Sequence, residues 1–249
     1  MFSSSSRVFW ISLAVPVALG LLGLAAIVVA AVRWNRPSEG LVEQAPSSTA
    51  SEPSAVGSGE VGVDELADPV WVEQTAASTG IPRRALAAYA GASIAVATTH
   101  PSCSLGWTTL AGIGHVESGH GTIFGGSIGD DGLASPAIIG IALDGDGVAA
   151  ISDSDDGELD GDTHWDRAVG PMQFIPSTWE LYAADGDGDG EADPQDVDDA
   201  SLAAAVYLCE AGGDLSSDQN WIAAVSAYNA SVDYNNRVVA AADHYAALS

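Results

Sequence analysis

The stretch "GHVESGHGTI", residues 114–123, places a single glutamate between glycines and histidines, directly after the apolar run "WTTLAGI". Apolar residues recur before it near helical spacing, and a serine precedes them at a capping position. Gly119 and Gly121 follow the glutamate and interrupt the helical pattern. The sequence therefore predicts an apolar helix that ends at Glu117, with its carboxyl group projecting into a cleft with apolar walls.

A carboxyl group in such a cleft is poorly solvated. Poor solvation raises the pKa of a carboxylic acid, so Glu117 is predicted to hold its proton toward neutral pH, as a general acid must. The alternative is a glutamate that caps the helix or forms an ion pair, and spacing alone does not separate the two.

Residues 8–32 form a run of 25 residues without a charge. At about 1.5 Å per residue a helix of this length spans about 37 Å, more than the roughly 30 Å of a bilayer core. We predict a membrane anchor at residues 1–33; a long signal sequence cleaved near the alanines is the alternative. Residues 34–67 are rich in Pro, Ser, Gly and Glu without an apolar period, which predicts a disordered linker.

Residues 68–249 carry 28 of the 34 acidic residues and 4 of the 7 basic residues. Because such an acidic domain repels phosphate groups, we expect no nucleic acid partner, and we expect a monomer without an organic cofactor. Helical patterns dominate this region, so the fold class is predicted to be mainly α. The first helix has Asp68 as its N-cap, Pro69 at its first position and Gly80 as its terminator.

Two cysteines, Cys103 and Cys209, lie far apart in the sequence. An even count beyond a membrane anchor predicts a disulfide in an oxidising compartment, and two buried free thiols are the alternative. Arg7 precedes the apolar segment while Arg33 and Arg36 follow it, so the arginine count alone would leave the domain inside the cell. The predicted disulfide favours the extracytoplasmic side instead, and we expect a single-pass protein with its domain facing the cell wall.

Three motifs occur in order: "ESGHG" at 117–121, "VGPMQFIPSTW" at 169–179 and "AYNAS" at 227–231. Together they resemble the lytic murein transglycosylases, specifically the membrane-bound B-like group of actinobacteria, over about residues 68–246. The resemblance implies a lysozyme-like, mainly helical fold and cleavage of the MurNAc–GlcNAc β-1,4 bond of peptidoglycan.

The resemblance also implies roles for single residues. Glu117 matches the single acid/base of the family, which first protonates the leaving oxygen and then deprotonates the C6 hydroxyl, so that a 1,6-anhydro ring forms. The matched substrate-binding residues are Ser118, Met172, Gln173, Phe174, Tyr228 and Asn229. Without the resemblance, Met172 and Phe174 would be assigned to the core. A hydrolytic muramidase and a non-catalytic, calcium-stabilised glycan-binding module remain alternatives.

The segment "DGDGDGEADPQD", residues 185–196, follows the calcium-loop pattern D-x-D-x-D-G between two predicted helices. Its predicted ligands are Asp185, Asp187, Asp189, Glu191, Asp193 and Asp196. Asp196 stands where the usual glutamate would be and reaches one methylene less far, so modest affinity is expected; a solvated acidic turn is the alternative. The acidic residues 143–166 fail the same template and are interpreted as a solvated insertion, and the histidines lack zinc-site spacing.

Overall fold

The computed structural model describes residues 44–46, 50–56 and 61–249. The predicted membrane segment lies outside these residues, as does much of the predicted linker. Within the described part of the chain, no helix is both long and apolar enough to cross a membrane. All of the described residues fall in one compact unit.

Helices dominate the described residues, which confirms the predicted mainly α class. Seven α-helices occur there: α1 Pro69–Thr79, α2 Arg83–Thr99, α3 Trp107–Ser118, α4 Pro176–Tyr182, α5 Val197–Gly212, α6 Asp218–Tyr228 and α7 Val232–Leu248. The predicted signals of α1 are all present. Asp68 Oδ1 accepts hydrogen bonds from the backbone N–H groups of Val70 (2.7 Å) and Trp71 (3.3 Å), and Gly80 ends the helix with φ 73°.

Two small antiparallel sheets lie between α3 and α4. Strands β1 Ser127–Ile128 and β2 Ala134–Ser135 form the first, in which Ile128 pairs with Ala134. Strands β3 Ile139–Ala142 and β4 Arg167–Val169 form the second, in which Ile139 pairs with Val169. The sequence did not predict these strands, because segments of two to four residues are too short to show an alternating pattern.

The core is built on two close helix pairs, α2 with α5 and α3 with α7. Small residues bring α3 and α7 together: a Cβ atom on Gly112 would lie 2.8 Å from the carbonyl oxygen of Val238. Between α2 and α5, the guanidinium of Arg84 forms a bidentate ion pair with the buried carboxylate of Asp198. The α3–α7 contact matters most for function, because both helices carry residues of the candidate site.

A disulfide joins Cys103, just before α3, to Cys209 in α5, across a separation of 106 residues. The predicted pairing is therefore confirmed. The backbone N–H of Leu215 donates to the carbonyl of Cys103 at 2.7 Å. The disulfide thus fixes the start of α3 against the end of α5.

Residues 61–67, which the sequence assigns to a disordered linker, are part of the folded domain. Val63–Glu65 form a 3₁₀ helix, Val63 and Ala67 are buried, and the N–H of Val63 donates to the carbonyl of Gly186 at 2.7 Å. A Cβ atom on Gly91 in α2 would lie 1.6 Å from the carbonyl oxygen of Val63, so only glycine permits this contact. The linker prediction rests on the composition of residues 34–67 as a whole, whereas the apolar Val63 and Ala67 within it are buried against the folded domain.

Residues 50–56 also contact the folded domain. The indole N–H groups of Trp71 and Trp107 donate to the side-chain and main-chain oxygens of Ser51, both at 3.1 Å. The N–H of Asp68 donates to the carbonyl of Ser54 at 2.9 Å. This described segment of the predicted linker is therefore hydrogen-bonded to the folded domain.

The acidic insertion at 143–166 is more ordered than a solvated loop. Asp166 is fully buried and accepts hydrogen bonds from the N–H and hydroxyl of Ser154. Asp160 is buried as well, and its Oδ2 accepts the N–H of Arg167 at 2.6 Å. Arg167 also forms an ion pair of 2.8 Å with Asp162. Hydrogen bonds and an ion pair of these carboxylates therefore hold the insertion in its conformation.

Candidate active site

Glu117 occupies the last turn of α3, where the prediction placed it. Gly119 follows in the left-handed region at φ 58°, and its N–H caps the helix by donating to the carbonyls of Gly114 and His115. The side chain of Glu117 is half-buried, and its Oε1 accepts a hydrogen bond of 2.6 Å from the hydroxyl of Tyr234 in α7. The carboxyl group therefore lies between the end of α3 and the first turns of α7.

Burial raises the pKa of Glu117 to about 7, against the smaller opposing effects of the Tyr234 hydrogen bond and the Arg237 guanidinium. Near neutral pH the carboxyl group is consequently present in both protonation states. A group of this kind gives up a proton and takes one back without a large free-energy penalty. This is the electrostatic behaviour expected of an acid/base catalyst.

Tyr234 is the residue of this site that sequence reasoning missed. It lies in the first turns of α7, six residues beyond Tyr228 and outside the three motifs. Burial and then the charge of Glu117 raise the pKa of Tyr234, so it remains a hydrogen-bond donor. The only local signal is Ser231, whose hydroxyl caps α7 by accepting from the N–H of Tyr234. That signal predicts a helix but not a partner for Glu117.

Tyr234→Phe is expected to raise the pKa of Glu117 further above its ordinary value, because the hydroxyl that stabilises the carboxylate is lost. The measurement is a ¹³C NMR titration of the side-chain carboxyl of Glu117 in the parent and the variant. Tyr207→Phe is the matched control, since the Tyr207 hydroxyl donates to the carbonyl of Ala227 instead. An unchanged titration in Tyr234→Phe would show that this bond does not control the protonation of Glu117.

Ser118 does not face a substrate. It is 1% exposed, its hydroxyl donates to the carbonyl of Pro171 at 2.6 Å, and its Oγ accepts the N–H of Gly121 at 2.8 Å. The prediction of a substrate-binding role is corrected accordingly. Ser118 joins the turn after α3 to the turn that contains Pro171.

The predicted substrate-binding roles of Met172 and Phe174 are also corrected. Both residues lie in the core, at 0% and 2% exposure, and offer no surface to a sugar. Phe174 packs edge-on against Trp179 (5.3 Å between ring centroids) and Tyr228 (5.8 Å). The hydroxyl of Tyr228 donates to the carbonyl of Met172 at 2.8 Å. These residues of the motif at 169–179 therefore belong to the core on which the site is built.

Gln173 and Asn229 retain polar atoms for a ligand. Gln173 has φ 52°, and its side-chain amide nitrogen donates to the carbonyls of Gly170 (3.0 Å) and Ala168 (3.3 Å), which leaves Oε1 as an acceptor. Asn229 is exposed, and its Oδ1 accepts the N–H of Ser231 at 3.0 Å. Gln173 is thus restricted to accepting hydrogen bonds, whereas the amide nitrogen of Asn229 is a donor.

The three sequence motifs meet around Glu117. Ser118 bonds to Pro171 and Tyr228 bonds to Met172, so the end of α3 and the junction of α6 and α7 both rest on the turn at 170–174. The negative charge of Glu117 contributes to the raised pKa of Tyr228, after burial. Segments more than 100 residues apart in sequence therefore form one site.

The acidic loop at 185–196 brings carboxylates together, but not the predicted set. Oxygens of Asp185, Asp187 and Asp199 lie within 4.8 Å of one another. Asp196 is buried and caps α5, where its Oδ1 accepts from the N–H groups of Asp198 (2.7 Å) and Asp199 (3.3 Å). Asp199, three residues later, takes the place predicted for Asp196. Three hard oxygen donors suit a calcium ion.

The other predicted ligands of this loop are exposed and hold local turns. Asp189 Oδ1 accepts the N–H of Glu191, and Asp193 Oδ1 accepts the N–H of Gln195, both at 2.8 Å. A second trio, Asp153, Asp155 and Asp166, also has carboxylate oxygens within 4.8 Å of one another. With Asp153 at position 1, the last ligand position of the calcium-loop template falls on His164, two residues before Asp166, so the template failed on that stretch.

A family model described as "Transglycosylase SLT domain" matches residues 148–246. No curated protein and no solved structure matches the chain. The family match supports a lytic transglycosylase-type domain, and the mainly helical architecture is consistent with such a domain. The matched range includes the turn at 170–174 and the α6–α7 junction. It begins after Glu117, whose role is therefore argued from geometry.

Proposed function

We propose that this protein cleaves the MurNAc–GlcNAc β-1,4 bond of peptidoglycan and leaves a 1,6-anhydroMurNAc end, with Glu117 as its single acid/base. The observation that carries the proposal is the half-buried carboxyl of Glu117, with a pKa of about 7, at the point where the three motifs meet. The transglycosylase family match supplies the substrate class.

In the first step, protonated Glu117 would donate its proton to the glycosidic oxygen as the bond to C1 of MurNAc breaks. The 2-acetamido group of the sugar would stabilise the developing positive charge at C1, as in substrate-assisted glycosidases. In the second step, the carboxylate would remove the C6 hydroxyl proton while O6 bonds to C1. The proton balance closes on Glu117, and no water is consumed.

The surroundings of Glu117 support a single-acid scheme. The groups that shift its pKa, besides burial, are the Tyr234 hydroxyl and the Arg237 guanidinium, and neither is a carboxylate. Glycosidases that work by the usual two-acid mechanisms hold two carboxyl groups about 5–9.5 Å apart. Tyr234 would stabilise the carboxylate formed after the first step, and the free polar atoms of Gln173 and Asn229 would contact the sugar.

Mass spectrometry of the soluble products from purified peptidoglycan tests the proposal. Anhydro-muropeptides, lighter by one water than the hydrolytic products, are the expected result. Hydrated reducing ends would identify a muramidase and overturn the single-acid scheme. A chain that binds peptidoglycan and releases no products would be a glycan-binding module.

We further propose that the segment at residues 8–32 anchors a monomeric domain outside the cytoplasm, facing the cell wall. The disulfide between Cys103 and Cys209 supports this compartment, because such bonds persist in oxidising surroundings. Protease treatment of intact cells tests the location: the domain should be cleaved without lysis. Protection until the membrane is broken would place it on the cytoplasmic side.

We also propose a structural calcium ion at Asp185, Asp187 and Asp199. The three carboxylates crowd one another, and burial followed by the charge of Asp187 raises the pKa of Asp199 to about 6. A divalent cation would offset this repulsion. The loop joins α4 to α5 and touches Val63 through Gly186, so the ion would stabilise the domain rather than take part in bond cleavage.

Calcium at 10 mM is expected to raise the thermal midpoint of the chain by about 3–8 °C, which corresponds to a Kd of about 10⁻⁴–10⁻³ M. Asp187→Asn should abolish this shift while keeping the loop, because its amide oxygen still accepts the N–H of Asp189. Differential scanning calorimetry measures the effect without reference to activity. Asp155→Asn in the second trio is the matched control. If only this variant lost the calcium-induced rise in the thermal midpoint, the ion would bind at the second trio instead.

A further inference from the structure

His120 lies three residues after Glu117 in an unusual stretch of backbone. Gly119, His120 and Gly121 all have positive φ, at 58°, 60° and 79°. Glycine adopts this region freely, whereas a residue with a side chain is strained there and persists only where the surroundings hold it. His120 is buried, and its backbone N–H donates to the carbonyl of Gly114 at 2.9 Å.

Both ring nitrogens of His120 have hydrogen-bond partners. Nδ1 lies 3.3 Å from the hydroxyl of Tyr89 in α2, and Nε2 lies 2.8 Å from the hydroxyl of Tyr245 in α7. The Tyr245 hydroxyl also lies 3.1 Å from Nδ1 of His115 in α3. A chain of four polar side chains therefore links three helices beneath the end of α3.

These four side chains involve two helices, α3 and α7, that also form the Glu117 site. Tyr234 and Tyr245 are eleven residues apart in α7, close to three helical turns, and so lie on one face of the helix. Tyr234 contacts Glu117, and Tyr245 contacts His120. The end of α3 is thus bonded to α7 at two points.

Gly114 leaves space for the Tyr89 hydroxyl that bonds to His120. A Cβ atom at this position would lie 2.1 Å from the hydroxyl oxygen of Tyr89, so a larger residue in α3 would displace the tyrosine from His120. The His120 ring is held from α2 on one side and from α7 on the other. Its position in turn limits how the backbone leaves α3 immediately after Glu117.

We propose that His120 is a positioning residue for Glu117: its neutral imidazole bridges Tyr89 and Tyr245 and thereby holds the end of α3 at the distance from α7 that the Glu117–Tyr234 bond requires. This inference rests on the proposed function of Glu117. It assigns His120 no contact with the sugar.

The surroundings keep the imidazole neutral. Burial, followed by the nearby His115, lowers the pKa of His120 to about 3. The groups that face the ring are Tyr89 from α2, Tyr245 from α7 and His115 from α3, and none is a carboxylate. A neutral ring donates from one nitrogen and accepts at the other, so it bridges two hydroxyls without the cost of a buried charge.

Two substitutions in the full chain separate positioning from simple stability. His120→Gln places its amide near the position of Nε2 and retains the bond to Tyr245, whereas His120→Asn places its amide near Nδ1 and retains the bond to Tyr89. Asparagine tolerates positive φ better than glutamine. If His120 positions Glu117 through α7, stability should rank Asn above Gln, while activity should rank Gln above Asn.

The expected result is a kcat at least about tenfold lower for His120→Asn than for His120→Gln, at similar KM, because a small misplacement of the acid lowers the rate without weakening binding. As in Tyr234→Phe, the NMR titration should show the pKa of Glu117 raised further above its ordinary value, and in His120→Asn only. Activity that follows thermal stability, or a Glu117 titration unchanged in both variants, would overturn the proposal. If the parent releases no glycan products, the proposed function fails, and the titration still decides the role of His120.

Discussion

Glu117→Gln is expected to reduce release of anhydro-muropeptides by at least about 10³-fold. General acid and general base catalysis each contribute about 10²–10⁴-fold, and this substitution removes both proton transfers from one residue. Glutamine has nearly the same shape, and its amide oxygen still accepts a hydrogen bond from Tyr234, so the fold should persist. Product analysis by mass spectrometry and the thermal midpoint are measured on the same samples.

The same variant has a predictable pH dependence of stability. The folded-state pKa of Glu117, about 7, lies above the ordinary value of 4.5, so the folded parent binds more protons than the unfolded chain between these values. The favourable contribution is present below about pH 4.5 and is lost as the pH rises through about 7. The parent should therefore lose stability relative to Glu117→Gln between pH 5 and 8.

One control variant and one excluding outcome make this result decisive. Glu180→Gln, at an exposed position on α4, should leave product release unchanged. A Glu117→Gln variant that keeps more than about a tenth of the parent activity would exclude Glu117 as the essential acid. In that case one of the other acidic residues would have to supply the proton.

Removal of the disulfide is expected to cause the largest loss of stability. Cys103→Ala combined with Cys209→Ala opens a loop of 106 residues, for which the chain-entropy estimate is about 4–5 kcal/mol of unfolding free energy. Both cysteines are buried, and alanine adds no polar group to the core. Urea unfolding followed by circular dichroism measures the difference.

The reduced parent provides the matched comparison. A reducing agent should lower the stability of the parent toward that of the double variant and leave the variant itself unchanged. A difference below about 1 kcal/mol between the oxidised and reduced parent would show that strain in the folded state cancels the entropic gain.

Features encoded locally could be predicted from the sequence. The apolar spacing before Glu117 and the glycines after it are sufficient to end a helix there, and the motif at Asp68 contains its own capping groups. The two cysteines allow a single intramolecular pairing. The signals for the two helix ends each lie within a few residues, and the disulfide pairing follows from the number of cysteines.

Features that depend on packing could not be predicted. The resemblance identifies Met172 as part of a motif, but its burial depends on how helices from distant parts of the chain meet over it. Tyr234 reaches Glu117 because α3 and α7 cross closely at Gly112. Asp196 satisfies the spacing of a metal ligand, but its carboxylate accepts hydrogen bonds from the backbone N–H groups at the start of α5 instead.

The contact between Gly91 and Val63 determines where a stable fragment of this protein can begin. A fragment that starts at Asp68, the capping residue of α1, would lack residues 61–67 and uncover the groove on α2 in which Val63 lies. It would also lack Ser51, the hydrogen-bond acceptor for the indoles of Trp71 and Trp107. Apolar surface opened in this way promotes self-association. Crystallisation and binding studies should therefore use fragments that begin before residue 50.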